Sequence, residues 1–189
     1  MNGAACERIV FDDLVDYAAG ALPAAEAAAL EDHLFSCADC GARAAELEAL
    51  ARAIGPAVRS AAVGGFVTDA VLNRLARDGV RVRSFTLLPG AIVPCAVWDD
   101  DELMVLRLRG DLGGARTVTV SQRIAGAEVS RTTGEPASDL PGELLVAQPA
   151  ALIRQLPATD VEVRLSAVDG DGERTIASYT LVHGGAHHR

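Results

Sequence analysis

The chain has 189 residues, of which 50% are apolar and 23% charged, a composition typical of a globular protein with one large or two small domains. Its 17 basic residues are all arginine, which excludes mechanisms that need lysine, such as a Schiff base or a P-loop. The net charge of -9 argues against direct binding to nucleic acid, because that affinity comes mostly from neutralised phosphates. A basic protein partner suits this charge better.

The sequence also indicates where the protein resides. The longest uncharged stretch, residues 84–98, contains two prolines and a glycine, so we expect no helix that spans a bilayer and no contact with a membrane. Two of the four cysteines form a Cys-x2-Cys pair, which in a reducing compartment indicates metal binding or redox chemistry rather than a structural disulfide. We therefore expect a cytoplasmic protein.

Up to about Gly79, apolar residues recur at intervals of three and four, which predicts short amphipathic helices in an alanine-rich segment. Proline at the start of a helix and glycine at its end are the usual boundary signals. The predicted elements are helices over about residues 7–20, from Pro23 to near Ser36 and from Cys40 to Gly55-Pro56, a Gly-rich connector over 55–65, and a fourth helix over 66–78.

From Val80 onward the apolar period changes to two, which predicts half-buried strands separated by turns such as Pro89-Gly90 and Gly113-Gly114. A sandwich of two antiparallel sheets is the simplest way to close such strands. The predicted domains are a helical core over 1–54, the linker 55–65, the fourth helix 66–78, an antiparallel β domain over 79–183, and a tail over 184–189.

The strongest functional signal is His33-x3-Cys37-x2-Cys40. Helical residues four apart lie on one face, so His33 can present a ring nitrogen beside the Cys37 thiolate, with Cys40 in the following turn. Together with Cys6 from the first helix, these residues match the Cys3His tetrahedron of structural Zn²⁺. Such a site would hold together helices that are marginal on their own and whose small side chains bury little apolar area.

Other interpretations of the same residues remain open. The motif is also compatible with a buried cysteine pair beside a hydrogen-bonded histidine, and Cys6 with a free thiol whose place is taken by a carboxylate or water. Redox sensing by the thiolates is a further possibility. An enzyme would have to use the same metal, but four ligands leave no position for substrate and the motif lacks the pattern of a zinc deaminase. We assign no catalytic residue.

Cys6, the motif from His33 to Cys40, the helix beginning at Pro23 and the later helix of residues 66–72 resemble the zinc-binding anti-sigma domain over about residues 1–78. The resemblance implies a cytoplasmic regulator that sequesters an extracytoplasmic-function (ECF) sigma factor. The first three helices would lie between two sigma domains, and the fourth would pack on the sigma surface. The implied zinc ligands are Cys6, His33, Cys37 and Cys40, and the implied partner-binding residues are Val67, Val71, Leu72 and Leu75.

The resulting fold class is an α+β multidomain protein, with an N-terminal four-helix zinc-binding anti-sigma module and a C-terminal antiparallel β-sandwich-like domain. Residues 1–50 carry most of the net negative charge, which suits a basic DNA-reading partner. The predicted function is repression of transcription by sequestration of sigma, with release by a redox or other signal. The alternative is a zinc-stabilised interaction module that binds another partner and carries a ligand-sensing β domain.

Overall fold

The computed structural model of the chain describes Cys6 and residues 9–59, 64–136, 141–169 and 172–187. Within these residues the chain forms five helices and nine strands. In chain order they are α1 (Phe11–Ala19), α2 (Ala24–Ser36), α3 (Ala38–Arg59), β1 (Gly65–Val67), α4 (Asp69–Arg77), β2 (Val82–Leu87), β3 (Ile92–Trp98), β4 (Leu103–Arg109), β5 (Thr117–Ile124), β6 (Ala127–Gly134), β7 (Glu143–Pro149), α5 (Ala150–Ile153), β8 (Thr159–Asp169) and β9 (Gly172–His187).

Helices α1, α2 and α3, here called the helical part, pack around a small core. Leu14, Leu30 and Ala44 supply one buried side chain from each helix. Helix α1 ends at Gly20, whose left-handed φ of 70° is a conformation that glycine adopts without strain. Burying a leucine contributes at most about 3 kcal/mol, and the other apolar side chains of this core are only partly buried, so the hydrophobic stabilisation of the helical part is limited.

The longest helix, α3, has 22 residues, and charged aspartate, glutamate and arginine residues recur along its sequence. Among the residues that the structure describes, no helix combines the length and the apolar character needed to cross a membrane.

The strands form two sheets, here called the β part. The four-stranded sheet has the order β1-β7-β4-β2 and the five-stranded sheet the order β3-β9-β8-β5-β6. Strand β2 pairs in parallel with β4, and β3 pairs in parallel with β9, whereas the other pairs are antiparallel. Because β3 lies in the other sheet, the chain leaves the first sheet after β2 and returns to it as β4 in the same direction.

Alternation along β4 shows how the layers are arranged. Met104, Leu106 and Leu108 belong to the large core shared by the two sheets. Leu103 and Val105, on the opposite face, pack in a second core with residues of α4. The four-stranded sheet is therefore covered on both faces, which explains the uninterrupted apolar sequence of β4 from residue 103 to 106.

Helix α4 is the layer that covers the outer face of this sheet. It begins after Thr68, whose Oγ1 accepts a hydrogen bond from the Val71 N–H at 3.3 Å. Leu72 and Leu75 are buried in the core formed with the sheet. A nine-residue helix is marginal by itself, so this packing stabilises it.

The predicted fold class is wrong in two respects. The N-terminal region is a short three-helix part rather than a four-helix module, because α4 follows strand β1 and packs on the four-stranded sheet. The sheets are mixed rather than antiparallel. The apolar period of α4 shows that one face of the helix is covered, but it does not show which part of the chain covers it. The turn residues show where a strand ends, but they do not show that the next strand joins the other sheet.

Several boundaries also differ from the predicted ones. Helix α3 continues through Pro56 to Arg59 instead of ending at Gly55-Pro56. Strand β9 extends to His187, so much of the predicted tail is strand. Residues 60–63 of the predicted connector and residues 188–189 of the predicted tail lie outside the described residues.

Candidate metal centre

Three of the four candidate ligands lie at the junction of α2 and α3. His33 is in the last turn of α2, Cys37 is the extended residue that ends this helix, and Cys40 lies in the first turn of α3. The Cys37 N–H donates to the His33 carbonyl oxygen at 2.9 Å, so the backbone of the junction is fixed by hydrogen bonds. Cys6, which precedes α1, completes the set.

The structure brings the four predicted ligands together. One donor atom from each of Cys6, His33, Cys37 and Cys40 lies within 4.8 Å of all the others. The Cys6 Sγ is 3.5 Å from the His33 Nε2, which identifies Nε2 as the nitrogen directed into the cluster. Three sulfur atoms and one imidazole nitrogen at these separations form a donor set suited to a tetrahedral metal ion.

The surroundings of Cys37 and Cys40 shift the pKa values of their thiols in opposite directions. Hydrogen bonds, first from the Cys40 backbone N–H and then from neighbouring groups, lower the pKa of the Cys37 thiol. Burial and the neighbouring Cys37 and Cys6 thiols raise the pKa of Cys40 to about 11. Several thiolates crowded together repel one another, and a bound cation removes this repulsion because metals bind the deprotonated form.

Gly41 is a further residue of the site, and the sequence analysis missed it. A Cβ atom at this position would lie 3.2 Å from the Leu34 carbonyl oxygen, which is closer than an ordinary contact. The small residue therefore allows the first turn of α3 to approach the last turn of α2. The available signal was the glycine itself, which is unfavourable inside a helix unless packing requires it.

The other predicted functional residues lie apart from this cluster. Leu72 and Leu75 are buried against the chain's own sheet, and Val67 and Val71 pack at the edge of the same core. Val71 and Leu75 also line an apolar cavity of about 110 Å³ between α4, α1 and α3. A partner would reach Leu72 and Leu75 only if α4 left the sheet, so binding of a partner by these side chains stays a prediction.

Comparison with solved structures finds distant similarity. One match is the N-terminal domain of phage TP901-1 ORF48, with 11% identity, 56% of this chain and 99% of that chain covered, and a TM-score of 0.35. Another is the structure of titin M4, with 14% identity, 56% and 90% coverage, and a TM-score of 0.27. No curated protein matches the sequence.

A family model matches the region that contains the metal centre. The family is described as "Putative zinc-finger", and the match covers residues 6–41. This range begins at the first candidate ligand and ends one residue after the last, so the match and the geometry identify the same site. Residues 6–41 of this chain therefore resemble this zinc-finger family, and the structure brings the four candidate ligand side chains together within that segment.

Proposed function

We propose that Cys6, His33, Cys37 and Cys40 hold one Zn²⁺ ion with a structural role. Three cysteines and one histidine are a common ligand set of structural zinc sites, and four protein ligands fill its tetrahedral coordination. A structural ion would matter here because α1, α2 and α3 share only a small core, in which Leu14, Leu30 and Ala44 are the buried apolar side chains. No position would remain for a substrate at such an ion, so we expect no catalysis there.

We further propose that the chain is an anti-sigma factor that sequesters an ECF sigma factor and represses the transcription it directs. The observation that carries the proposal is the ligand quartet within the zinc-finger match, because these residues carry the resemblance to zinc-binding anti-sigma domains. The finger supplies a rigid helical part that presents α1 to α3 to the partner. The sigma surface that normally contacts RNA polymerase would then be blocked.

The surface charge of the helical part supports a basic partner. Acidic side chains on all three helices are exposed to solvent: Asp12, Asp13, Asp16, Glu26, Glu31, Asp32, Asp39 and Glu46. Sigma factors read DNA and therefore present basic surfaces, and opposite charges speed the encounter of two proteins. An acidic helical surface would compete with DNA for the same groups.

The test is a binding and transcription assay with the full chain, loaded with Zn²⁺, and each purified ECF sigma factor of the same organism. We expect a one-to-one complex on size-exclusion chromatography and loss of most sigma-dependent transcripts at equimolar protein. Cys37→Ser should lose zinc, the complex and the repression together, because a serine hydroxyl does not replace the thiolate and the incomplete site no longer holds the ion that joins α2 to α3. Ala38→Ser, which places the same side chain at the neighbouring exposed position, should retain all three.

Two results would contradict the proposal. If the zinc-loaded chain leaves both sigma and transcription unaffected, the sequestration function is wrong while the zinc site stands. If Cys37→Ser loses zinc but still binds sigma with unchanged affinity, the metal centre does not organise the partner surface.

A second candidate function rests on a groove in the β part. Gln122, Gln148 and Leu152 are among the residues that line an open cavity of about 390 Å³, a size typical of sites for small molecules. The Gln148 Oε1 is buried there without a hydrogen-bond partner. A ligand with a donor group would satisfy this oxygen, and the chain would then be a ligand-sensing interaction protein whose partner is not sigma.

A further inference from the structure

A second group of metal-binding side chains lies in the interior of the β part. Strands β3 and β9 place Cys95 and His183 directly opposite each other in their parallel pairing. The Cys95 Sγ lies 3.8 Å from the Sδ of Met104, which comes from the opposing sheet. All three residues are at least nine-tenths buried, with exposed fractions of 3%, 1% and 2% for Cys95, Met104 and His183.

His183 is the unusual member of this group. Neither its Nδ1 nor its Nε2 has a hydrogen-bond partner, although both nitrogens are buried. Burying an imidazole without replacing the hydrogen bonds that it made to water costs free energy. A ligand or ion that bonds to a nitrogen of His183 would remove this cost. His183, Cys95 and Met104 line one cavity of about 10 Å³, which is room for roughly a single water or a single ion.

The backbone is irregular at this point. The step from Cys95 to Val97 on β3 is matched by the longer step from His183 to Ala186 on β9, so β9 carries a bulge at Gly184-Gly185. Bulges redirect neighbouring side chains and are frequent next to functional sites. This bulge immediately follows the histidine that lacks a partner.

We propose that Cys95, Met104 and His183 bind one Cu(I) ion. Thiolate and thioether sulfurs favour Cu(I), and a neutral imidazole is a suitable third ligand. Two sulfur ligands with bonds of about 2.3 Å to one metal lie roughly 3.8 to 4.0 Å apart at tetrahedral or trigonal angles, which agrees with the Cys95–Met104 separation.

Charge balance distinguishes Cu(I) from a divalent ion here. When Cu⁺ binds, the Cys95 thiol releases its proton to the buffer, and the oxidation state of copper does not change. The thiolate and Cu⁺ together are neutral, so the complex suits a cavity whose other walls include Val161, Leu181 and Ile153. A divalent ion would leave a net positive charge among apolar side chains, which is unfavourable.

The cavity also has a route to solvent. Gln122, Ile153 and Leu156 line both this cavity and the open groove of about 390 Å³ described above. Movement of these shared side chains would connect the interior to the groove. The ion could then be delivered without unfolding of either sheet.

The test is an anaerobic titration of the zinc-loaded full chain with Cu(I) in competition with a coloured Cu(I) chelator. We expect one equivalent of Cu(I) to bind without release of zinc, with X-ray absorption showing sulfur and nitrogen ligands at copper. Cys95→Val and His183→Phe should each lose this equivalent. Met104→Leu, which conserves volume, should weaken the affinity by roughly tenfold or more, since it removes one of three ligands.

The matched control separates the two metal sites. The triple variant Cys6→Ser, Cys37→Ser, Cys40→Ser removes every thiol of the N-terminal centre and should still bind one Cu(I) in the interior. The proposal is overturned if copper binding in the wild type displaces zinc and is unchanged by the three interior substitutions, or if no Cu(I) binds against the chelator. Circular dichroism of each copper-free variant checks its fold, and Met104→Leu remains informative if another variant does not fold.

Discussion

Arg107 of β4 forms an ion pair with Asp69 in the first turn of α4, so the helix is fixed to the four-stranded sheet by charge as well as by apolar contact. The same guanidinium pairs with Glu143 of β7 at 3.1 Å, and Glu143 is almost fully buried. Arg109 pairs with the other oxygen of Glu143. The network thus connects α4 to two neighbouring strands.

The first prediction concerns this network. Arg107→Met should lower the free energy of unfolding by about 2 kcal/mol, because it leaves Glu143 buried with one partner instead of two. The loss is smaller than for a fully buried pair, since a quarter of the Arg107 side chain reaches solvent. Urea denaturation measures it. Arg81→Met, which removes an exposed pair with Asp100, is the control and should change stability by less than about 0.5 kcal/mol.

The second prediction tests whether the apolar stripe of α4 is part of the core. Leu75→Ala should destabilise the β part by about 2 to 4 kcal/mol, because the side chain is buried against the sheet and leaves a cavity. Leu50→Ala, on exposed surface of α3, should cost less than about 0.5 kcal/mol. Equal stability of the two variants would mean that α4 is not held on the sheet and that its stripe is free for a partner.

The third prediction concerns removal of the metal. A chelator should unfold α1 to α3 and leave the β part folded, because apparent zinc-binding free energies of about 10–16 kcal/mol far exceed what the small helical core supplies. Far-ultraviolet circular dichroism should lose helical signal. Fluorescence of Trp98, the chain's one tryptophan, should stay unchanged, since this residue lies in β3 beside Arg83. Zinc added back should restore the helices, and helicity that survives the chelator would contradict a structural role.

The sequence allowed the metal ligands to be predicted because their geometry is mostly local. His33, Cys37 and Cys40 are placed by one helix end and one turn, and only Cys6 required the fold to bring it near. The spacing of His33, Cys37 and Cys40 in the sequence is therefore nearly sufficient to predict the metal site. The interior group of Cys95, Met104 and His183 has no such local pattern, since its members come from three strands of two sheets.

The arrangement of the β part could not be predicted for a related reason. Leu106 and Leu108 alternate with Arg107 and Arg109, which indicates a strand with one apolar face. Only the end of β4 has this character, because residues 103–106 are buried on both faces of the sheet. That Arg107 lies on the face covered by α4 depends on contacts with Asp69 and Glu143, which are distant in sequence. These contacts depend on which helix and strands lie next to β4 in the fold, and the apolar period of β4 does not show that.

The fourth prediction concerns alkaline pH. Burial raises the pKa of Tyr179 to about 12, and its hydroxyl donates to the Arg109 carbonyl oxygen at 2.7 Å. The folded state keeps this proton at pH values where the unfolded state has lost it. The stability from this group is therefore full below pH 10 and declines as the pH rises from about 10 to about 12.

Absorbance of tyrosinate at alkaline pH measures this effect. Burial, followed by the hydrogen bond to Glu31, also raises the pKa of Tyr17, the chain's other tyrosine. Tyr179→Phe should remove the higher of the two ionisation steps and flatten the loss of stability between pH 10 and pH 12. If the step that this variant loses lies near pH 10 instead of near pH 12, Tyr179 is not buried as the structure has it.

The fifth prediction tests the acidic surface in the proposed complex with sigma. Asp16→Arg, at an exposed position on α1, should slow association with the sigma factor by about two- to fivefold at low salt, because it weakens electrostatic steering. The difference should shrink near physiological ionic strength, where the screening length falls to about 8 Å. Stopped-flow or surface-based kinetics measure both. Asp160→Arg makes the same change of charge at an exposed position of the β part, and an equal effect of this control would mean that net charge, rather than the acidic helical surface, governs the encounter.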